Sequence, residues 1–558
     1  MPKFIITLLA CLALCAALLS ARFALPASTP TALPPAPLPR TQILLAPLDS
    51  RPVCSTMVQK LGQLAGLNVI LPPKAFLDNY QTPAKQEKLF QWLSYCAPYY
   101  EHSIISADLL LHGGLLAARK THAEKAQHDA LLKELAALSS KSTEQHSQAI
   151  FSVIPRLLVS DQLLPDRWYS YQLWRYSQLA DMVRISGNFA LTQDLREVEA
   201  KIPPKVLQKY QQLYQTSDKI NYSLLSIAEQ NKTLALSIGQ DDAEPIGLPH
   251  ASASRLQSTI ASTKIVNAQL TYGADEIATL LLVRHYLHKQ SWQPRVYFMY
   301  ATAKTAQQTP PYTPAAIGTV LRNQLALVGA QEAATPADAD LICYVSCGDE
   351  GLLPTSAQAE ELRKLLRIDK PVALIDSSVD FEPEQLLLPK LLESNVPIAK
   401  LAAYAGWNTF SNSSGTALAQ GLIFAGRLRE LRRSNANEEQ YASLYADNLS
   451  FTAERILEDF YYQKLLHPKL RPALAAEGID TTNLNDEEKI YAEQKIQTRL
   501  ALDAYKLLHE NLGQQPFYKH NDHSYYLRDL AVSSHLPWNR IFETELTVWT
   551  QVGVATTK

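Results

Sequence analysis

The amino-acid sequence predicts an α/β protein in which largely parallel sheets are flanked by helices. Two observations lead to this class. Short, continuous apolar runs such as residues 43–49 and 372–378 are bounded by polar turns, which is typical of strands buried on both faces. Longer stretches between them, such as 123–138 and 313–330, repeat apolar residues at helical spacing. Strands and helices that alternate in this way form parallel sheets covered by helices.

The predicted strands are spread over the first three quarters of the chain. They are residues 43–49, 67–73, 102–108, 149–156, 234–242, 296–302, 341–347, 372–378 and 401–408. This number of strands fits either two α/β lobes or one elaborated barrel, and we favour two lobes. The first lobe is assigned to residues 41–300 and the second to residues 301–425.

Beyond residue 425 the sequence changes character. Residues 426–558 contain long helical patterns with charged faces and aromatic stripes. Within this region residues 542–549 alternate between polar and apolar side chains, which predicts a strand. We therefore expect a mainly helical C-terminal region that returns to the body through a strand.

The N-terminal segment is predicted to lie outside the folded body. Residues 4–21 are apolar apart from small hydroxyl side chains, and a helix of that length spans about 27 Å, near the hydrocarbon thickness of a bilayer. We predict that residues 1–21 are a signal peptide or an N-terminal membrane anchor. Residues 22–40 are rich in Pro and Ala, which is typical of an extended linker. The body is therefore expected to be extracytoplasmic and to meet a membrane only through this segment.

Composition excludes several classes of partner. The 558 residues carry a formal net charge of −2, and 47% of them are hydrophobic, which is the balance of an ordinary large globular protein. Because no strong positive charge is present, the sequence gives no electrostatic reason to expect a nucleic acid or an anionic membrane surface as partner.

Known cofactor and metal motifs are absent from the sequence. The body contains Cys54, Cys96, Cys343 and Cys347 without CxxC spacing or a His-rich segment, so a zinc site is not expected. GxSxG, HExxH, Walker A and dinucleotide GxGxxG patterns do not occur. We therefore predict neither a cofactor nor a metal site, although clustered carboxylates would also suit a hard divalent ion such as Mg²⁺ or Ca²⁺.

Candidate site residues follow the predicted strands. Parallel strands place their carboxyl ends at one edge of the sheet, and ligands bind in the crevice beyond that edge. The polar residues and the tryptophan found there are Asp49, Arg51, Asp108, Arg119, Arg156, Asp241, Asp242, Asp275, Glu276, Trp407, Asn408 and Asn412. We expect these side chains to converge on a polar crevice.

Some of these residues also have purely structural interpretations. An aspartate after a strand is usually a helix N-cap, which would apply to Asp49 or Asp376 taken alone. Arg156 would equally serve as a structural ion-pair partner. The adjacent Asp241 and Asp242 are harder to explain structurally, since two neighbouring like charges cost stability unless something uses them.

Paired carboxylates favour a glycosidase, in which one acid is protonated and the other is ionised. In this hypothesis Asp242 and Glu276 are the acid/base pair, and Asp108 and Asp275 are a second acid and an orienting partner. The ligand is a carbohydrate or another small polar molecule, and the residues expected to bind it are Asp49, Arg51, Arg119, Arg156, Asp241, Asn408, Asn412 and, as a flat apolar surface, Trp407. The function expected is an extracytoplasmic carbohydrate-active hydrolase that acts on an envelope or scavenged glycan. Two alternatives stay open, which are a membrane-anchored, non-catalytic glycan- or solute-binding protein and a divalent-metal-dependent hydrolase.

The motifs together resemble the bacterial family known as domain of unknown function 4127. The matching segments are PLDSRP (47–52), SADLLLHGGLLAAR (106–119), GQDDAEPIG (239–247), GADE (273–276), YAGWNTFSNSSGT (404–416) and PWNRIFE (537–543). The resemblance extends in order from about residue 43 to residue 546. Where this chain has His112 before two glycines, the family pattern has tyrosine. Membership adds weight to the polar residues named above but implies no reaction.

Overall fold

The first of two parallel sheets is built from buried, mostly apolar strands in the N-terminal half of the chain. The structure is a computed structural model that describes residues 42–119, 125–157 and 167–556. The strands of this sheet are β1 (Gln42–Ala46), β2 (Asn68–Ile70), β3 (His102–Ser106), β4 (Ser147–Ile154), β5 (Leu234–Gln240) and β6 (Ala268–Tyr272). Their order is β2-β1-β3-β4-β5-β6, and every neighbouring pair is parallel.

The second parallel sheet follows in sequence. Its strands are β7 (Arg295–Tyr300), β8 (Gln331–Glu332), β9 (Leu341–Gly348), β10 (Val372–Ser378) and β11 (Ala403–Ala405). They lie in the order β11-β10-β9-β7-β8 and are again all parallel. Both β9 and β10 are buried along their whole length, as expected for strands covered on both faces.

Helices connect the strands and cover both sheets. Those before residue 300 are α1 (Thr56–Leu64), α2 (Gln86–Cys96), α3 (Ala107–His112), α4 (Leu115–Ala118), α5 (Lys125–Ser139), α6 (Arg167–Ser186), α7 (Phe189–Glu199), α8 (Pro204–Gln230), α9 (Leu248–Thr263) and α10 (Ile277–Lys289). Those after residue 300 are α11 (Ile317–Val328), α12 (Ser356–Leu365), α13 (Leu388–Glu393), α14 (Phe410–Arg433), α15 (Glu438–Arg455), α16 (His467–Ala476) and α17 (Asp486–Leu507). Two π-helical segments, Ile456–Leu466 and Leu508–Leu512, extend α15 and α17.

One hydrophobic core joins the two sheets. It contains Phe151 of β4, Cys343 of β9 and, between them, residues of α10 and α14 such as Leu281 and Leu422. Nineteen of the 24 residues of α14 are buried, so this helix is enclosed by protein on nearly every side. Its enclosure fixes where its N-terminal end points.

A small antiparallel sheet ends the described chain. It consists of β12 (Tyr518–His520), β13 (His523–His535) and β14 (Glu545–Thr556), in that order. The alternating burial of β13 shows that only one of its faces packs on the protein. The connection between β13 and β14 reaches the first sheet, as described below.

The fold class predicted from the sequence is confirmed, and two separate open sheets are present rather than a barrel. The boundary predicted at residue 426 falls inside α14. The predicted leader (1–21) and linker (22–40) lie outside the described residues, and the division into lobes stays a prediction. The four body cysteines named above are buried free thiols.

Among residues 42–119, 125–157 and 167–556, no helix is both long enough and apolar enough to cross a bilayer.

Candidate functional site

A cavity of about 260 Å³ lies at the carboxyl edge of the first sheet. β2 lies on one side of β1 and β3 lies on the other, so the order in which strands are added reverses at β1. Such a reversal opens a crevice at the carboxyl edge of a parallel sheet. The charged side chains predicted from the sequence that line it are Arg51, Arg119, Arg156, Asp241, Asp242 and Asp275. The structure therefore brings the ends of β1, β4, β5 and β6 together, as the parallel topology requires.

Arg51 is clamped between two carboxylates. Its Nε donates to both oxygens of Asp49 at 3.0 and 2.9 Å, while Nη2 donates to Asp275 Oδ1 at 2.6 Å and Nη1 donates to Asp275 Oδ2 at 3.2 Å. Asp49 is fully buried and does not line the cavity. It therefore holds the guanidinium from behind, while Asp275 lies on the cavity side and is fixed by two charge-assisted hydrogen bonds.

Two further ion pairs join the aspartates that follow β5 to arginines that also line the cavity. Arg119 donates to Asp241 through Nε at 3.1 Å and through Nη2. Arg156 Nη1 lies 3.4 Å from Asp242 Oδ2, and both of these side chains are 28% exposed. Arg156 therefore forms the ion pair considered for it from the sequence and also faces the cavity.

Asp242 has the most unusual environment of the cavity carboxylates. Burial, and then the neighbouring charge of Asp241, raise its pKa from the ordinary value of 3.8 to about 6. Its φ of +33° lies in the left-handed region, which costs a non-glycine residue on the order of 1 kcal/mol or more. Strain and a raised pKa at one cavity-facing carboxyl are typical of functional sites.

Asp108 lies on the far side of the Arg119–Asp241 pair. It lines a neighbouring cavity of about 440 Å³ that shares Leu115, Arg119 and Asp241 with the first. Burial raises the pKa of Asp108 to about 7, and its Oδ2 has no hydrogen-bond partner among the described residues. Asp108 and Asp242 are thus in adjoining cavities that the ion pair separates.

Glu276 does not lie in the cavity. Its side chain is fully buried, and neither carboxyl oxygen has a hydrogen-bond partner in the described part of the chain. Burial raises its pKa to about 8, so it is protonated at neutral pH. Gly273 and Gly415 pack closely against the Glu276 side chain, which leaves no room for a side chain at either glycine. A Cβ on Gly415, for example, would lie 2.6 Å from Glu276 Cγ. The acid/base pair of Asp242 and Glu276 expected from the sequence therefore does not share one cavity.

The segment after β11 forms another wall. Asn408, with a φ of +55°, and Asn412, which is 5% exposed, both line the cavity. Trp407 does not, because its side chain belongs to the core between the sheets, and its carbonyl accepts a hydrogen bond from Ser413 Oγ at 2.9 Å. The flat surface expected from Trp407 is therefore not available to a ligand in the cavity.

An aromatic wall comes from residues that the sequence reasoning did not assign to the site. Trp538 lines the cavity from the β13–β14 connection, and its Nε1 donates to Ser50 Oγ at 2.8 Å. Its ring lies 5.6 Å from that of Tyr80. The Arg540 guanidinium lies 4.8 Å from both ring centroids. The segment PWNRIFE, already part of the family resemblance, contains two of these residues and is the feature that would have identified them.

Asp376 has a structural role. Its two oxygens accept the backbone N–H groups of Leu387 and Leu388, each at 2.8 Å. It therefore caps α13, as considered from the sequence.

The cavity combines charged, amide and aromatic groups that suit a small polar ligand. Each of its three carboxylates contacts an arginine. In the described ranges, no group of three or more His, Cys, Asp or Glu side chains is arranged to hold a metal ion.

Comparison with known proteins gives a family and nothing finer. No curated protein and no solved structure matches this chain. The model of the family described as protein of unknown function (DUF4127) matches residues 43–547, nearly the whole chain, and the protein therefore belongs to that family.

Proposed function

We propose that this protein is a carbohydrate-active hydrolase that cleaves a glycosidic bond in the cavity at the carboxyl edge of the first sheet. The observation that carries the proposal is the contrast between two carboxyl groups lining one cavity. Asp242 has its pKa raised to about 6, whereas Asp275 is held by two hydrogen bonds from Arg51. Carboxyl groups whose environments differ in this way divide the acid and base roles of a glycosidase between them.

Asp242 is the general acid. In its protonated form it donates a proton to the glycosidic oxygen, so that the leaving group departs as a neutral alcohol. Asp275 is the ionised partner and replaces Glu276, which is buried and protonated. A carboxylate in this position either attacks the anomeric carbon or takes a proton from the attacking water.

The remaining groups bind and orient the sugar. The half-buried Tyr80 ring, packed against the buried ring of Trp538, offers an apolar wall for a ring face. Asn408 and Asn412 offer amides to hydroxyl groups. The apolar segment at residues 4–21 supports an extracytoplasmic location, and an envelope or scavenged glycan as substrate.

Hydrolysis of a panel of aryl glycosides, oligosaccharides and peptidoglycan fragments tests this proposal. Asp242→Asn should lower kcat by about 10²–10⁴-fold. Asp369→Asn is the matched control, because the Asp369 side chain is 96% exposed and lies outside the cavity. In the wild type kcat/KM should fall as pH rises through about 6, since the free enzyme then loses the Asp242 proton.

Other outcomes would replace the proposal. Equal activity in Asp242→Asn and the wild type would remove Asp242 from the chemistry. Activity that chelator abolishes would favour the metal-dependent alternative.

A non-catalytic binding protein is the second candidate. One observation favours it, namely that all three cavity carboxylates already have an arginine partner. The charges of these carboxylates are therefore balanced without a ligand, and such a cavity would bind a polar solute without reacting with it. Ligand binding without hydrolysis of any panel member would support this candidate over the hydrolase.

A further inference from the structure

Helix α14 begins at the cavity, and no side chain caps it. Thr409, at the N-cap position, makes no side-chain hydrogen bond to the first turn. Asn408, Thr409 and Asn412 all line the cavity. The first backbone N–H groups of a helix lack partners within it, and the helix dipole makes this end positive. A 24-residue buried helix thus opens its positive end into the candidate site.

Asn412 gives an independent indication of a ligand subsite. It is the third residue of α14 and is 95% buried, yet its side-chain amide makes no hydrogen bond with any residue that the structure describes. By contrast, the neighbouring Ser413 and Ser414 hydroxyls donate to the carbonyls of Trp407 and Ser411. The Asn412 amide atoms are not among the fully enclosed atoms without partners, so they are open to the cavity and available to a ligand. A ligand group in the cavity would satisfy this amide.

The charges around the cavity select the sign of that ligand. Four arginines and three aspartates line the cavity, and the carboxylates of Asp49 and Glu543 pair with Arg51 and Arg540 from behind. The side chains therefore give no excess of positive charge, and the positive end of α14 selects the sign of the group bound there. Arg119 and Arg156 lie close together. The pKa of Arg156 is lowered, mainly by repulsion from the positive charge of Arg119. A negative group between the helix end and these arginines would relieve that repulsion.

We propose that the N-terminal end of α14, with Asn408, Thr409 and Asn412, binds an anionic group of the ligand, so that the substrate is an acidic sugar. The carbohydrate part of this inference rests on the function proposed above. The anionic group is a carboxylate, as in a uronic acid, or a phosphate ester. Both fit the same donors, namely backbone N–H groups and side-chain amides.

Isothermal titration calorimetry on the full chain tests the subsite without requiring turnover. The probes are glucuronate, glucose 6-phosphate, glucose and inorganic phosphate. At least one acidic sugar should bind about tenfold or more tightly than glucose, and added salt should weaken that binding. The stronger of glucuronate and glucose 6-phosphate identifies the anion as carboxylate or phosphate. Inorganic phosphate binding as tightly as glucose 6-phosphate would overturn the sugar part of the inference.

Asn412→Asp is the decisive variant. It places a negative charge at the subsite with almost no change in shape, and an acidic residue in the first turn of a helix favours folding. The affinity for the acidic sugar should fall by about tenfold or more, because two like charges a few ångströms apart repel strongly in a partly buried site. The affinity for glucose, which carries no charge, should fall by a clearly smaller factor.

Two further variants keep the test independent of folding defects. Asn437→Asp makes the same charge change at the exposed N-cap of α15 and should bind like the wild type. Asn408→Gly removes a second amide while keeping a residue that tolerates φ of +55°, and it should also weaken acidic-sugar binding. Unchanged affinity for the acidic sugar in both Asn412→Asp and Asn408→Gly would overturn the inference.

Failure of this subsite and failure of the hydrolase are distinguishable. Acidic-sugar binding that Asn412→Asp weakens, with no hydrolysis of any acidic glycoside, would support the subsite and refute the hydrolase. Hydrolysis of neutral glycosides with no preference for acidic ones would refute only the subsite.

Discussion

Replacing Glu276 by glutamine should stabilise the protein, and increasingly so as pH rises. Glu276 is fully buried without a hydrogen-bond partner among the described residues, and its pKa is about 8 in the folded state against an ordinary value of 4.5. The folded protein therefore holds the Glu276 proton more tightly than the unfolded chain. Its contribution to stability is complete below pH 4.5 and is lost as pH rises to about 8.

The magnitude follows from these two pKa values. At about 1.4 kcal/mol per pH unit, the loss amounts to about 5 kcal/mol between pH 4.5 and pH 8, and to about 3 kcal/mol by pH 7. Glutamine has nearly the same shape and does not titrate. Any cost of burying its amide is the same at each pH, so the advantage of Glu276→Gln over the wild type should grow by this amount.

Urea unfolding at pH 5, 7 and 9, followed by tryptophan fluorescence, would measure the difference in free energy of unfolding between the two proteins. Comparison with Glu276→Gln isolates this one carboxyl from the other buried acids, which titrate equally in both. Glu197→Gln, at an exposed position of α7, should follow the wild type. A difference between Glu276→Gln and the wild type that stays constant from pH 5 to pH 9 would refute the reasoning.

Three further substitutions address other parts of the site. Arg51→Met leaves two buried carboxylates without their positive partner and should lower the free energy of unfolding, measured with urea, by about 3–5 kcal/mol. Adding Asp275→Asn to this variant should restore part of that loss, because one of the two negative charges is then removed. Gly415→Ala forces a methyl group against Glu276, with a contact of 2.6 Å, and should lower the free energy of unfolding by about 1–3 kcal/mol. Trp538→Ala removes the buried ring against which Tyr80 packs at the cavity and should weaken carbohydrate binding measured by calorimetry by about tenfold or more.

Each of these substitutions has a matched control at an exposed position. Arg432→Met, Gly351→Ala and Trp549→Ala change the same residue types where the structure is open to solvent. Arg51→Met as stable as Arg432→Met would show that the clamp contributes nothing. Equal stability of the two glycine variants would mean that Glu276 moves away at no cost. Equal sugar affinity in the two tryptophan variants would move the ligand away from the aromatic wall.

Most of the parallel architecture could be predicted because its strands are buried on both faces. Continuous apolar runs such as 341–347 and 372–378 coincide with β9 and β10. β6 (Ala268–Tyr272) lies at the sheet edge, and its mixed sequence AQLTY gave no such pattern. β13 was missed because its surroundings are strongly helical and only one of its faces is buried.

The site was predictable only where it follows from sheet topology. Asp242 and Asp275 come directly after strands of one parallel sheet, so their convergence follows from the fold. Trp407 and Trp538 cannot be distinguished in that way, because either ring would serve as core or as ligand surface. Long-range packing, which no local pattern reports, placed the first ring in the core between the sheets and the second, although only 1% exposed, beside the cavity.

The hydrogen bond from Trp538 to Ser50 joins residues 488 positions apart. Ser50 leaves the ribosome early in translation, whereas Trp538 leaves it among the last residues. A nascent chain can therefore complete both parallel sheets and still lack the aromatic wall of its cavity. The cavity lining is accordingly completed only after both parallel sheets have been synthesised. A chain that terminates before residue 536 would have the charged lining of the cavity open to solvent on the side where Trp538 belongs.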